Sequence, residues 1–62
     1  MKTNIKVKFK DNTERIFDAN RFTFNKDGFC DLEFYEDNKK RLDACVAMDE
    51  IKYLTFVEVK DD

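Results

Sequence analysis

Histidine, proline and tryptophan are absent from the chain, glycine occurs once and cysteine twice. Each gap excludes something. Two cysteines without a histidine cannot complete a four-ligand zinc site, and neither thiol has an imidazole to make it a nucleophile. Two cysteines allow at most one internal disulfide, thin for a small secreted scaffold. With no proline and one glycine, no linker and no low-complexity segment is visible. The longest apolar run, "ACVAM" at 44–48, is far short of a membrane span. The opening "MKTNIKVKFK" alternates lysine with apolar residues, so the continuous apolar stretch of a signal peptide is missing. The expected setting is soluble, reduced and cytoplasmic.

Charge of one sign is also lacking: the net is −2. It is unevenly spread. Residues 1–26 carry seven Lys/Arg against three Asp/Glu, and residues 27–50 carry three against eight. Nucleic-acid binders show a strong basic excess, so the balance favours a protein partner or a small ligand. A chain of 62 residues reads as one small domain, 1–62. At that size only about 60% of the unfolded surface is buried, so the core is thin.

What is present is strand-like alternation. Ile5, Val7 and Phe9 alternate with Lys6, Lys8 and Lys10, the pattern of a half-buried strand. Asp11-Asn12 reads as the turn after it, with "TERIFD" as the return strand. "DNTERIFDA" at 11–19 echoes "DNKKRLDA" at 37–44, which suggests two hairpins with the same turn chemistry. A three-residue turn at Lys26-Asp27-Gly28 sets Phe24 opposite Cys30 and Phe22 opposite Leu32. A three-residue turn at Asp37-Asn38-Lys39 sets Phe34 opposite Leu42, Leu32 opposite Ala44 and Cys30 opposite Val46. The fold class is then all-β, a small antiparallel barrel or meander with a short helical turn near residues 48–52. The alternative is α+β with one helix over 43–54, because Ala44, Ala47, Met48 and Ile51 recur at helical spacing.

On this register Phe22, Phe24, Cys30, Leu32 and Phe34 belong to the core, with Ile5, Val7, Phe9 and Ile16. The other face of the strand reads Phe29, Asp31, Glu33, Tyr35, opposed by Ala47, Cys45, Asp43 and Arg41. Aromatics interleaved with acids suit a protein contact surface, so Phe29, Asp31, Glu33, Tyr35 and Arg41 are the candidate partner-binding residues. The bland alternative is a solvated face with Tyr35 lying over Arg41. An exposed aromatic row on so small a chain also favours a homodimer.

Other candidates carry less. Lys6, Lys8 and Lys10, joined by Arg15, could bind phosphate or nucleic acid, but such lysines more often protect an edge strand. Cys30 and Cys45 fall on opposite faces, which forbids a disulfide. Cys30 then reads as a core residue and Cys45 as an exposed thiol. Asp49-Glu50 and Asp61-Asp62 read as a turn cap and a solvated tail rather than a cation site. No cofactor, metal or catalytic residue is expected, and the chain reads as a non-enzyme.

The layout of short strand, "DN" turn, short strand, aromatic strand pair, second "DN" turn and "VAMDEIKYLTFVEV" resembles small SH3-like barrels, in which a helical turn precedes the last strand. The Lys/Asn/Asp/Phe-rich composition is similar to that of small proteins of phages and mobile elements. That resemblance implies a cytoplasmic inhibitor of a larger bacterial host protein, a defence system or an enzyme, acting by covering its surface. A nucleotide-like ligand, stacked on Tyr35 or Phe29 with Arg41 or Lys40 on its phosphate, is the second reading. Nucleic-acid binding through the lysine stripe is the third.

Overall fold

The structure is a computed structural model and describes residues 2–60. Six strands and one helical turn follow in chain order: β1 (Lys2–Phe9), β2 (Glu14–Phe17), β3 (Arg21–Phe24), β4 (Phe29–Glu36), β5 (Lys39–Ala47), a single 3-10 turn (Met48–Glu50) and β6 (Ile51–Val59). They form two antiparallel three-stranded sheets, β2-β1-β6 and β3-β4-β5. The all-β expectation holds, and so does the helical turn before the last strand. Residues 43–47 continue β5, so the helix over 43–54 is not formed. The two sheets do not close into a barrel by strand pairing.

Burial is greatest on the two central strands. Ile5 and Val7 on β1, and Cys30 and Leu32 on β4, are fully buried and form one cluster with Phe17 and Ala19. Phe9, Phe22, Ala44, Val46, Ile51 and Leu54 pack around it at partial burial. A central strand has neighbours on both edges and the opposite sheet on one face, so its inward residues lose the most water. Each fully buried aliphatic of this kind stabilises the fold by roughly 1.5–3 kcal/mol.

Three expected core positions are corrected. Ile16 is 57% exposed and Phe17 is buried instead. The first hairpin closes through Lys10, Asp11 and Asn12, with Phe9 N–H bonded to the Thr13 carbonyl and Asn12 N–H to the Phe9 carbonyl. This loop pairs Ile5 with Phe17 and Lys6 with Ile16, which sends Ile16 to the solvent face. Phe24 sits on the inner face as expected, yet it is 52% exposed. It lies near the open seam beside Phe22, at 5.5 Å between ring centroids, and Phe22 in turn meets Phe56 at 5.8 Å. Phe34 is half-buried, at the rim of the core.

The β3–β4 register is as expected, with Phe24 opposite Cys30 and Phe22 opposite Leu32. Gly28 supplies the left-handed residue at φ 88°. The β4–β5 register keeps Leu32 opposite Ala44 and Cys30 opposite Val46, then shifts. A bulge at Asp43 sets Glu33 opposite Leu42 and Phe34 opposite Arg41, so the expected Phe34–Leu42 pair is not made. The turn is two residues long. Asp37 and Asn38 both take positive φ, 53° and 63°, as a tight hairpin turn requires.

Candidate functional site

The outer face of the β3-β4-β5 sheet carries Phe29, Asp31, Glu33 and Tyr35 from β4. Alternation places Arg21 and Thr23 of β3 beside them, opposite Glu33 and Asp31. From β5 come Ala47, Cys45, Leu42 and Lys40. Phe29 is 42% exposed, Tyr35 41% and Leu42 59%. Three large apolar side chains therefore face water on one surface of one sheet.

The bulge changes the membership of this face. Tyr35 is paired with Lys40, and Arg41 lies on the opposite face with Phe34. There the Arg41 guanidinium stands 5.4 Å from the Phe34 ring centre and bonds Asp18 at 3.3 Å and Asp43 at 3.4 Å. Lys2 joins the same cluster, 2.7 Å from Asp18 and 5.7 Å from the Phe34 ring. Arg41 is thus removed from the expected contact row. The cation that meets Tyr35 is Arg21, whose guanidinium stands 5.8 Å from its ring.

Glu33 also differs from expectation. It is only 7% exposed, so it is not a free acid for steering. Its carboxylate accepts from the Thr23 hydroxyl at 3.4 Å and pairs with Lys40 at 3.2 Å and Arg21 Nε at 4.0 Å. A buried carboxylate is tolerated only with such partners. The result is a tied polar centre that holds Arg21 and Lys40 in place between the exposed aromatics.

Asn20 fixes one end of the row. Its side-chain amide donates to the Tyr35 carbonyl and its oxygen accepts from the Tyr35 N–H, both at 2.9 Å. A side chain thereby imitates one more β3 residue and locks the Tyr35 backbone. At the other end Asn25 accepts from Phe29 N–H at 3.1 Å and from Asp27 N–H at 3.0 Å. Nothing in the sequence marks either asparagine beyond its preference for turns. Both emerge only once the strand ends are aligned.

The cysteines lie on opposite faces, as expected, and both are free. Asp31 accepts a hydrogen bond from the Cys45 thiol, which with partial burial and the nearby negative charge pushes its pKa up. Burial raises that of Cys30, helped by the Asp31 charge. Both are therefore held as thiols, the unreactive form.

The lysine stripe is divided. Lys6 and Lys8 lie on the outer face of the other sheet and share Glu14, at 3.3 and 3.6 Å. They hold the Glu14 carboxyl below its ordinary value, the hydrogen bond to Lys6 acting most. β1 is the central strand of its sheet, so these lysines do not guard an edge. Lys10 lies beyond the strand, in the turn, and its N–H bonds the Glu50 carbonyl at 2.9 Å. Arg15 stands opposite Val7 on the other face, its guanidinium 5.1 Å from the Phe17 ring. The four residues do not form one basic patch.

A shallow hollow of about 540 Å³ lies at the β4–β5 turn, lined by Phe34, Glu36, Asp37, Lys39, Lys40 and Arg41. It brings Lys40 and Arg41 together, but with Phe34 rather than Tyr35 or Phe29. Among the described residues, no three His, Cys, Asp or Glu side chains cluster as a metal site would need. Asp61-Asp62 lie outside the described residues. Among the described residues, no helix is long and apolar enough to cross a membrane. Comparison with family models, with curated proteins and with solved structures finds no match.

Proposed function

We propose that this chain is a non-catalytic protein-binding module whose contact surface is the outer face of the β3-β4-β5 sheet. The observation that carries this reading is the coincidence of Phe29, Tyr35 and Leu42, all more than 40% exposed, on one face of one sheet. The Phe29 and Tyr35 backbones are held by Asn25, Asn20 and the central β4 position, so little conformational entropy is lost there on binding. Aromatic anchors beside Arg21 match the composition of binding hot spots, and Lys40 and the tied Glu33 fix that arginine between them. Asp31, half-buried on the same face, adds an acid beside Phe29. The likeness in sequence style to small proteins of phages and mobile elements supports the narrower reading, an inhibitor that covers a surface of a larger bacterial host protein.

The test is capture from bacterial lysate with tagged wild type and the Phe29→Ala/Tyr35→Ala variant, followed by reconstitution with the purified captured protein. The expected result is one protein bound by wild type, with affinity at least tenfold lower for the folded variant. Equal binding by both, or no specific capture, overturns the proposal.

The hollow at the β4–β5 turn favours a second reading, sequestration of a small anionic ligand. Lys39, Lys40 and Arg41 would meet its phosphate and Phe34 its ring. Absorbance near 260 nm in the purified protein would support it, and a clean protein spectrum with no nucleotide binding by calorimetry would end it. Nucleic-acid binding through the lysines is the weakest reading, because Glu14 already pairs with Lys6 and Lys8.

A further inference from the structure

The two sheets leave four edge strands, and three of them are protected. β2 and β3 are four residues long, too short to template a new strand. β5 carries Lys39, Lys40 and Arg41 and is bulged at Asp43. The fourth, β6, is nine residues, "IKYLTFVEV", with no proline, no glycine and only two charges, Lys52 and Glu58. β1 pairs with one side of it and, among the described residues, no strand pairs with the other. Its ladder is irregular only at Lys52 and is continuous from Tyr53 to Val59. Phe56 is 51% exposed and Tyr53 47%.

We propose that the free edge of β6 pairs antiparallel with β6 of a second copy of this chain, forming a symmetric dimer. The order of side chains along the strand carries the argument. A strand pairs with itself about a twofold axis normal to the sheet, so inner faces must meet inner faces and outer faces outer. Centring that axis on Thr55 sets Tyr53 opposite Val57 and Leu54 opposite Phe56 within the regular ladder, and brings Lys52, at the bulge, to Glu58. From Tyr53 to Val57 every apolar residue then meets an apolar one, Thr55 meets itself, and each Lys52 comes to a Glu58 carboxylate, twice by symmetry. Moving the axis by one residue breaks this. Centred on Leu54, it sets Lys52 against Phe56. Centred on Phe56, it sets Lys52 against Lys60 and Leu54 against Glu58. Like charges directly opposite are destabilising, so the charges select the Thr55 register.

The dimer has a continuous six-stranded sheet, β2-β1-β6 followed by β6-β1-β2 of the second copy. It satisfies the free backbone groups of the edge and sets Leu54 of the second copy across from the exposed Phe56. It also gives Lys52, which among the described residues bonds the Asn12 side chain at 3.4 Å, a carboxylate partner. Self-association is thereby assigned to β6 and not to the aromatic row, and it stands whether or not that row binds a partner.

Sedimentation equilibrium across a wide concentration range tests it, on wild type, Lys52→Glu, Glu58→Lys and the double variant Lys52→Glu/Glu58→Lys. Both side chains are exposed, so folding is not at stake, and circular dichroism checks it. Wild type should dimerise, with a melting temperature that rises with concentration. Each single reversal creates two like-charge pairs and should weaken the dimer roughly tenfold or more, while the double variant restores it to within about threefold. Amides of Tyr53 to Val59 should gain hydrogen-exchange protection with concentration, and Phe29→Ala/Tyr35→Ala should dimerise like wild type. A monomer at every concentration, single reversals that match wild type, a double variant no better than the singles, or a dimer lost in Phe29→Ala/Tyr35→Ala would each overturn the proposal.

Discussion

Asp-Asn heads two hairpins in this molecule, and the chain reverses differently at each. At Asp11-Asn12 only Asn12 takes positive φ, 73°, and the loop includes Lys10. At Asp37-Asn38 both residues do, and the loop is those two alone. The neighbour after Asn accounts for the difference. Thr13 donates its N–H and its hydroxyl to the Asp11 carboxylate, at 3.0 and 2.6 Å, which ties that side chain across the corner. Lys39 has no hydroxyl, and it pairs directly with Glu36 to close the tighter turn. One residue of loop length then decides which side of each return strand faces the core. In the first hairpin it buries Phe17 and exposes Ile16. In the second, a bulge at Asp43 absorbs the difference, so Ala44 and Val46 still face inward while Leu42 turns out.

The largest expected effect tests the first hairpin. Phe17→Ala should cost about 3–5 kcal/mol, since a buried ring is replaced by a cavity. That approaches the whole stability of so small a domain, roughly 0.05–0.15 kcal/mol per residue. Ile16→Ala, one position away, should stay within about 0.5 kcal/mol. Urea titrations of the two variants decide it. A larger loss for Ile16→Ala than for Phe17→Ala would mean that the loop is one residue shorter than described, and equal losses would mean that the comparison fails.

A smaller effect separates the two turns directly. Asn-Gly is the strongest pair for a two-residue turn in which both residues take positive φ. Asp37→Asn/Asn38→Gly should therefore stabilise the second hairpin, by roughly 0.5 kcal/mol, because glycine adopts that backbone without strain. The same change at Asp11-Asn12 removes the carboxylate that holds the longer loop and favours a register that would bury Ile16 and expel Phe17. The melting temperature should rise in the first variant and fall in the second. A rise in both would show that the loops are interchangeable.

These hairpins also mark how far the sequence could be read. The β3–β4 pairing was legible because Gly28 marks its turn and one apolar face runs through Phe22, Phe24, Cys30 and Leu32. The inner and outer rows of β4 follow from alternation alone. Ile16 against Phe17 was not legible: both are apolar neighbours, and only the loop length chooses between them. Arg41 was misplaced because a bulge leaves no mark in a strand of alternating residues. Glu33 looked like a surface acid until Arg21, Thr23 and Lys40 converged on it. Phe24 faces the right way but stays half in water, because strand order and seam closure are tertiary facts that local pattern does not carry.

The smallest effect concerns the tie itself. The Thr13 hydroxyl, and then its N–H, hold the Asp11 carboxyl below 3.8, so the charged form is favoured by folding. A group whose pKa is depressed in the folded state contributes stability that is fully present above its unfolded pKa. That contribution is lost as pH falls through the folded pKa. Asp18, held down by Lys2, and Glu14, held down by Lys6, behave in the same direction, so wild type should lose stability below about pH 4. Thr13→Val removes the larger cause at Asp11 and leaves the N–H bond. The variant should melt a few degrees lower at neutral pH, and the gap to wild type should narrow as pH falls below 3.8 and Asp11 becomes protonated in both. Melting curves between pH 7 and roughly pH 2 read this directly. The second hairpin has no hydroxyl at the matching position, so Lys39→Thr should leave the acid limb unchanged unless its turn can lengthen to match the first. A parallel offset at all pH values for Thr13→Val would show that the hydroxyl acts through packing and not through the Asp11 charge.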